Sequence, residues 1–266
     1  MARTELDQWV AVAEAAADLA GAVIRPFFRN GLTAALKPDQ SPVTVADRCA
    51  EAAIRAVLRE QFPADGILGE EFGQEQETAR RCWVLDPIDG TRAFLTGRPV
   101  FGTLIGLIED GRPILGIIDQ PITGERWVGA AGRETRFRGP FGGRPGCRPC
   151  AQLDAAELSC TSPDMFDTPD LARFRRLAGA VRRVSWGGDC YGYGLLALGQ
   201  IDLIAEADLK PWDWAPLVPI IAGAGGRMVG WNGAELHFGS NGGCDGRVLA
   251  AGDPALLAGA VRLLAP

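Results

Sequence analysis

Cys82-Trp83-Val84-Leu85-Asp86-Pro87-Ile88-Asp89-Gly90-Thr91 is the stretch that decides how this chain folds. Its first four residues are apolar and read as a short buried strand. Its last two open a segment, Arg92–Thr96, that can be helical. A strand running directly into a helix is an α/β signature. Two carboxylates at the strand end, with a rigid proline between them, suit cations. The helix N-terminus offers N–H groups and the positive end of its dipole to a phosphate. On spacing alone, Asp86 and Asp89 fit a turn followed by an N-cap as well.

Two further acidic segments flank this one in sequence, Gly69-Glu70-Glu71 and Trp212-Asp213. Glu70-Glu71 reads either as an acidic loop or as ligands. Asp213 reads either as the cap of the following helix or as a ligand. If Glu70, Asp86, Asp89 and Asp213 converge, four like charges cannot all stay ionised unaided. Divalent cations relieve that conflict. All-oxygen donors without histidine or thiolate select hard ions, chiefly Mg²⁺, with Mn²⁺ as a substitute. The Ile88 carbonyl, exposed in the turn between the aspartates, is a further candidate donor. Two such ions about 3.5–4 Å apart would acidify a water and neutralise phosphate charge during in-line displacement.

Working outward toward the N-terminus, Leu6, Trp9, Val10, Ala13, Ala17, Ala20, Ile24 and Phe28 follow a helical period that Asn30-Gly31 stops. Residues 31–42 are polar and irregular, and hold Lys37. A second helix is expected over Val45–Gln61 with Thr44 as its cap, and Gly66–Leu68 reads as a strand. Toward the C-terminus, Val100–Glu109 and Pro113–Asp119 form a hairpin through Asp110-Gly111. Thr123–Ala130 and Glu134–Arg138 continue it as an antiparallel sheet. Gly139–Pro149 is a Gly/Pro-rich connection. It suggests one compact unit with approximate sub-domains 1–145 and 146–266. Strands and helices alternate after it, as expected for helices packed on a mixed sheet.

The chain has 266 residues, a net charge of −6 and 47% hydrophobic content, enough for an ample core. No apolar run long enough for a membrane span exists, and the first residues lack a secretory signal's apolar stretch, so a cytoplasmic protein is expected. Acidic balance without a basic cluster argues against nucleic acid. Seven cysteines, an odd number, point to a reducing compartment. Cys147 and Cys150 form a C-x-x-C, but within a Gly/Pro-rich loop and with no second pair to complete a zinc site. One histidine, His237, leaves little for Ser-His or Cys-His catalysis.

Trp83–Thr91, and Trp212-Asp213-Trp214-Ala215 followed by Ala222-Gly223-Ala224-Gly225-Gly226, resemble the two signatures of the inositol monophosphatase family, Mg²⁺-dependent phosphatases. The resemblance covers nearly the whole chain. It implies a layered αβαβα fold, with an antiparallel sheet in the first half and a mixed sheet in the second. It implies metal ligation, with two or three ions per site, by Glu70, Asp86, Asp89, Asp213 and the Ile88 carbonyl. Gly90 and Thr91 would bind phosphate, and Thr91 would pair with Asp47 to activate the attacking water. Asp47 reads equally as a first-turn acid complementing the helix dipole. Glu71 would help place a water, and Lys37 would belong to a mobile loop. A homodimer acting on a small phosphomonoester is implied.

Gly187–Gly194 and Glu206–Asp213 resemble the histidinol-phosphate phosphatase branch more than the inositol phosphatases. Asp189 and Glu206 are the expected substrate carboxylates, suited to a substrate that carries an amine and an imidazole; Asp189 also reads as a helix N-cap. The alternatives are inositol 1-phosphate or another small sugar or nucleotide phosphate, and, in another class, a non-catalytic metal- or phosphate-binding regulator. Trp212 and Trp214 either narrow the pocket or pack the core.

Overall fold

The computed structural model describes residues 3–31, 35–36, 42–239 and 243–266. In chain order its first elements are α1 (Arg3–Ile24), β1 (Ala35–Leu36), β2 (Pro42–Val43), α2 (Val45–Gln61), β3 (Gly66–Gly69), β4 (Gly73–Glu75), β5 (Arg81–Asp89) and α3 (Thr91–Leu95). There follow β6 (Gly102–Glu109), β7 (Arg112–Gln120), β8 (Glu125–Ala130) and β9 (Arg136–Arg138). The second half holds β10 (Glu157–Cys160), α4 (Thr168–Ala178), β11 (Arg183–Trp186), α5 (Asp189–Ala197), β12 (Leu203–Glu206), α6 (Pro211–Trp214), α7 (Leu217–Gly223), β13 (Arg227–Gly230), β14 (Val248–Ala251) and α8 (Leu257–Leu264).

Seven strands form one sheet in the order β4-β3-β5-β6-β7-β8-β9, and five form another in the order β11-β10-β12-β14-β13. Alternation within the strands fixes the layers. On β5, Trp83 and Leu85 face a core shared with Ala13, Ala17 and Ile54 of α1 and α2. Val84, between them, faces the opposite way, toward Trp214 of α6, Ile220 and Ile221 of α7 and Ala250 of β14. The outer face of the five-stranded sheet packs on Phe174 of α4 and Ala260 and Leu264 of α8. The result is the expected αβαβα stack, in which the middle helices belong to the second half and the sheet above them to the first.

The first sheet departs from a wholly antiparallel arrangement. β3 and β5 pair in parallel, because the polar strand β4 turns back along the outer edge of β3 before the chain enters β5. β5 also runs further than its apolar run indicates. The ladder to β6 shifts register between Asp86 and Asp89, and Pro87, which has no N–H to donate, sits within that bulge. Close approach of the middle layer is bought by glycine: a Cβ at Gly116 would fall on the Pro216 backbone, and one at Gly129 on Ile220 of α7.

Trp214 is buried in the middle core, and the half-buried Trp212 packs against the same cluster. All seven cysteines are free thiols, and burial pushes the Cys147 thiol up to about 11. No helix among the described residues is long and apolar enough to cross a membrane.

Candidate active site

The bulge in β5 aims the two aspartates of Asp86-Pro87-Ile88-Asp89. Ile88 N–H donates to Asp86 Oδ1 at 3.0 Å, and the Thr103 hydroxyl donates to the Pro87 carbonyl at 2.8 Å, so the turn is tied from both sides. Gly90 follows with φ 90°, a left-handed conformation that favours glycine. A Cβ there would also stand 2.9 Å from Asp189 Cγ.

Asp213 comes from the other half of the chain. α6 begins at Pro211, earlier than the sequence pattern indicates, so Asp213 lies inside its first turn and accepts Lys210 N–H at 2.7 Å. The capping role and convergence with the other aspartates are therefore compatible. One carboxylate oxygen from each of Asp86, Asp89 and Asp213 lies within 4.8 Å of the others. Asp89 is anchored across the halves by the Cys190 N–H, at 2.5 Å.

Glu70, just past the end of β3, adds its charge to this group. Burial first, then the charges of Glu70, Asp89 and Asp213, hold the Asp86 carboxyl far above the usual range. Burial and the Asp213 charge push Asp89 up to about 7. Asp213 is likewise raised to about 7, by burial against the opposing Lys210 N–H. Such a cluster binds protons or cations, and its all-oxygen donor set fits a hard divalent ion.

The Glu70-Glu71 loop rests on a support that residue patterns alone did not reveal. Glu51 of α2, wholly buried, accepts Glu71 N–H at 2.8 Å and Phe72 N–H at 3.2 Å. Arg55 pairs with Glu51 at 2.8 Å and with Glu75 of β4 at 2.8 Å. Glu51 and Arg55 read in sequence as an ordinary i,i+4 helix pair. The buried Glu71 side chain lies 3.9 Å from Arg48.

Asp47 lies in the first turn of α2 and is buried. Its Oδ2 accepts the Thr44 N–H at 2.8 Å and the Thr44 hydroxyl at 2.5 Å, a capping box that satisfies the helix end. Its Oδ1 is buried with no hydrogen-bond partner. Burial, with Glu70's charge adding to it, raises the Asp47 carboxyl. The expected Asp47–Thr91 pair is not formed here: the Thr91 hydroxyl donates to the Ile88 carbonyl at 3.2 Å. Lys37 lies outside the described residues.

Beside the three aspartates is a cavity of about 150 Å³ that borrows Asp89 and Asp213 as part of its wall. Asp189, Glu206, Thr161 and Tyr193 supply its polar lining. Asp189 caps nothing with its side chain; it opens α5 with a left-handed φ of 44°. Burial, then Asp89 and Glu206, push its carboxyl up to about 8 against the pull of Arg98 and Arg92. Glu206 accepts Thr161 N–H at 2.8 Å and the Tyr193 hydroxyl at 2.9 Å.

A model of the inositol monophosphatase family matches residues 5–264. The chain belongs to the inositol monophosphatase family. It is accordingly a phosphomonoester hydrolase of a metal-dependent family, acting on small phosphate substrates. Among inositol monophosphatase family relatives, a chloroplastic bifunctional phosphatase, IMPL2, of Arabidopsis thaliana is 46% identical over 235 residues, covering 88% of this chain and 67% of that one. A histidinol-phosphatase of Mycobacterium tuberculosis is 41% identical over 213 residues, covering 77% of this chain and 80% of that one. A solved structure of an inositol monophosphatase from Zymomonas mobilis superposes with a TM-score of 0.87 at 49% identity, covering 99% of each chain.

Proposed function

We propose that this chain is a Mg²⁺-dependent phosphatase that hydrolyses L-histidinol phosphate to L-histidinol and phosphate, a reaction of histidine biosynthesis in the cytoplasm. The observation that carries the reading is the cavity next to Asp86, Asp89 and Asp213, into which Asp189 and Glu206 bring two carboxylates. An amine or a protonated imidazole pairs with such groups, whereas inositol presents only neutral hydroxyls. A charge-assisted hydrogen bond is worth roughly 1.5–3 kcal/mol, or about 10–150-fold in discrimination. The Mycobacterium tuberculosis relative, a histidinol-phosphatase by name, supports the same substrate.

In this reading Glu70, Asp86, Asp89, Asp213 and the Ile88 carbonyl would hold the ions. When bound, the ions would neutralise phosphate charge and acidify the attacking water. Gly90 and Thr91 hold the phosphate by their peptide N–H groups. Asp47 Oδ1, buried and without a partner, takes a hydrogen bond from the attacking water. Thr91 completes the pair by turning its hydroxyl from Ile88 to Asp47. Glu71 steadies a water at the same place, and Lys37 enters this reading only through the family resemblance. Asp189 and Glu206 hold the substrate's cationic groups. A homodimer belongs to this reading through the family resemblance, and light scattering coupled to size exclusion tests it.

The second reading is the same chemistry on inositol 1-phosphate, favoured by the 49% identity to the Zymomonas mobilis inositol monophosphatase. Phosphate release with Mg²⁺ from the two substrates separates them. A kcat/KM at least about 100-fold higher for histidinol phosphate, roughly 2.7 kcal/mol of transition-state preference, is the expected result. Equal or reversed values would transfer the assignment to inositol phosphate.

A further inference from the structure

Asp189 and Glu206 come from elements far apart in sequence, α5 and β12, and both line the cavity. Once a cationic substrate draws both carboxyls into their charged forms, two like charges on one pocket wall separate unless something holds them. Their only shared hydrogen-bond partner among the described residues is Thr161, the first residue beyond β10. Its peptide N–H donates to Glu206 Oε1 at 2.8 Å. Its hydroxyl accepts the Asp189 N–H at 3.0 Å.

The hydroxyl bond matters because of the backbone it holds. Asp189 has φ 44°, a left-handed conformation that costs energy for any residue with a Cβ and persists only where surroundings enforce it. That conformation turns the Asp189 carboxyl against Gly90, at the boundary between the phosphate cradle and the cavity. The strand end carrying Thr161 is itself fixed: its carbonyl accepts Gly187 N–H at 3.0 Å, two residues before Asp189. Glu206 is braced on its other oxygen by the buried Tyr193 hydroxyl at 2.9 Å.

We infer that Thr161 is a specificity-positioning residue, whose hydroxyl sets Asp189 in register with Glu206 so that the two carboxylates receive the cationic end of the substrate together. The inference rests on the histidinol-phosphate reading. A threonine that only stabilised the loop would act on every substrate alike. One that positions Asp189 acts on those substrates that carry a cation.

The experiment compares wild type, T161V and T161S on L-histidinol phosphate and on p-nitrophenyl phosphate, which has no cation to pair. T161V keeps the peptide N–H and the shape but removes the hydroxyl. The ratio of kcat/KM for histidinol phosphate to that for p-nitrophenyl phosphate should fall about tenfold or more in T161V, mostly through KM, as expected for a lost bond on a charged group's mount. T161S should recover the ratio to within about threefold of wild type, because serine restores the hydroxyl. T161A asks the same question should valine fail to fold. A wild type that prefers histidinol phosphate, with T161V retaining that preference or losing equally on both substrates, overturns the inference alone. So does a T161S that falls as far as T161V. A wild type with no preference overturns the substrate reading, and the inference with it.

Discussion

Glu51 is wholly buried under Gly69, and its carboxylate accepts the Glu71 N–H at 2.8 Å. A residue of the first helical layer thereby sets the height of the acidic loop over the aspartate cluster. Glu51→Ala strands Arg55, itself only 1% exposed, with Glu75 as its remaining carboxylate. Removing one member of a buried pair costs about 3–5 kcal/mol. Glu51→Gln keeps an acceptor and costs less, but loses the charge that grips two loop N–H groups. Urea melts should rank wild type above Glu51→Gln and Glu51→Ala last. A magnesium titration of Glu51→Gln should show weakened binding; unchanged affinity would mean that the loop keeps its height without Glu51.

Asp86 is the most crowded of the carboxylates, facing Glu70, Asp89 and Asp213 inside the protein. Asp86→Asn puts a permanently neutral group of nearly the same shape into that crowd. The metal-free variant is therefore expected to melt at or above the wild-type temperature, while magnesium no longer raises its Tm and turnover is lost. Thermal melts with and without magnesium, beside a phosphate-release assay, check all three. Near-normal turnover would remove Asp86 from the metal site.

The raised carboxyls make a signed prediction for pH. An unfolded aspartate ionises near 3.8, whereas folded Asp89 and Asp213 keep their protons to about 7 and Asp189 to about 8. Between those values the unfolded chain holds fewer protons than the folded one, so stability falls as pH rises. The fall levels off once the folded groups have ionised. Metal-free protein should lose Tm from pH 5 to pH 8. Magnesium competes with the same protons, so its affinity should rise over that window and its binding should release protons. A Tm that climbs with pH in the absence of metal would contradict this cause.

What could be read in the sequence follows from how local its cause is. Cys82–Leu85 is legible as a strand because four apolar residues in a row need a core on both faces. Its continuation through Pro87 is not, because a proline argues against a strand unless a bulge frees it from the ladder. The parallel pairing of β3 with β5 was hidden in the same way, since Gly73-Gln74-Glu75 is too short and polar to announce an edge strand. Asp86 and Asp89 share one turn and could be proposed together. Asp213 needed the family pattern to join them, and no periodicity marks its distance from β5. Glu51 and Thr161 were missed for one reason. Each acts through partners 20 to 45 residues away, and its own neighbourhood is unremarkable for a helix face or a strand end.

Asp189 gives the sharpest test of what the pocket selects. Its Cγ lies 2.9 Å from where a Cβ on Gly90 would stand, so it borders both Gly90 and the cavity. Asp189→Asn preserves shape and hydrogen-bonding capacity but cannot ionise to meet a cation, and so cannot add a charge beside Asp89 and Glu206. Stability should hold or rise, which separates the variant from one that merely unfolds. Its kcat/KM on histidinol phosphate should drop about 10-fold or more, the size of a lost charge-assisted bond, while p-nitrophenyl phosphate loses far less. The loss should also depend on the substrate's cation, and so be smaller on an analogue whose amine is replaced by hydroxyl. Equal losses on all three would reduce Asp189 to a general polar contact, and leave Glu206 to account for any preference that the wild type displays.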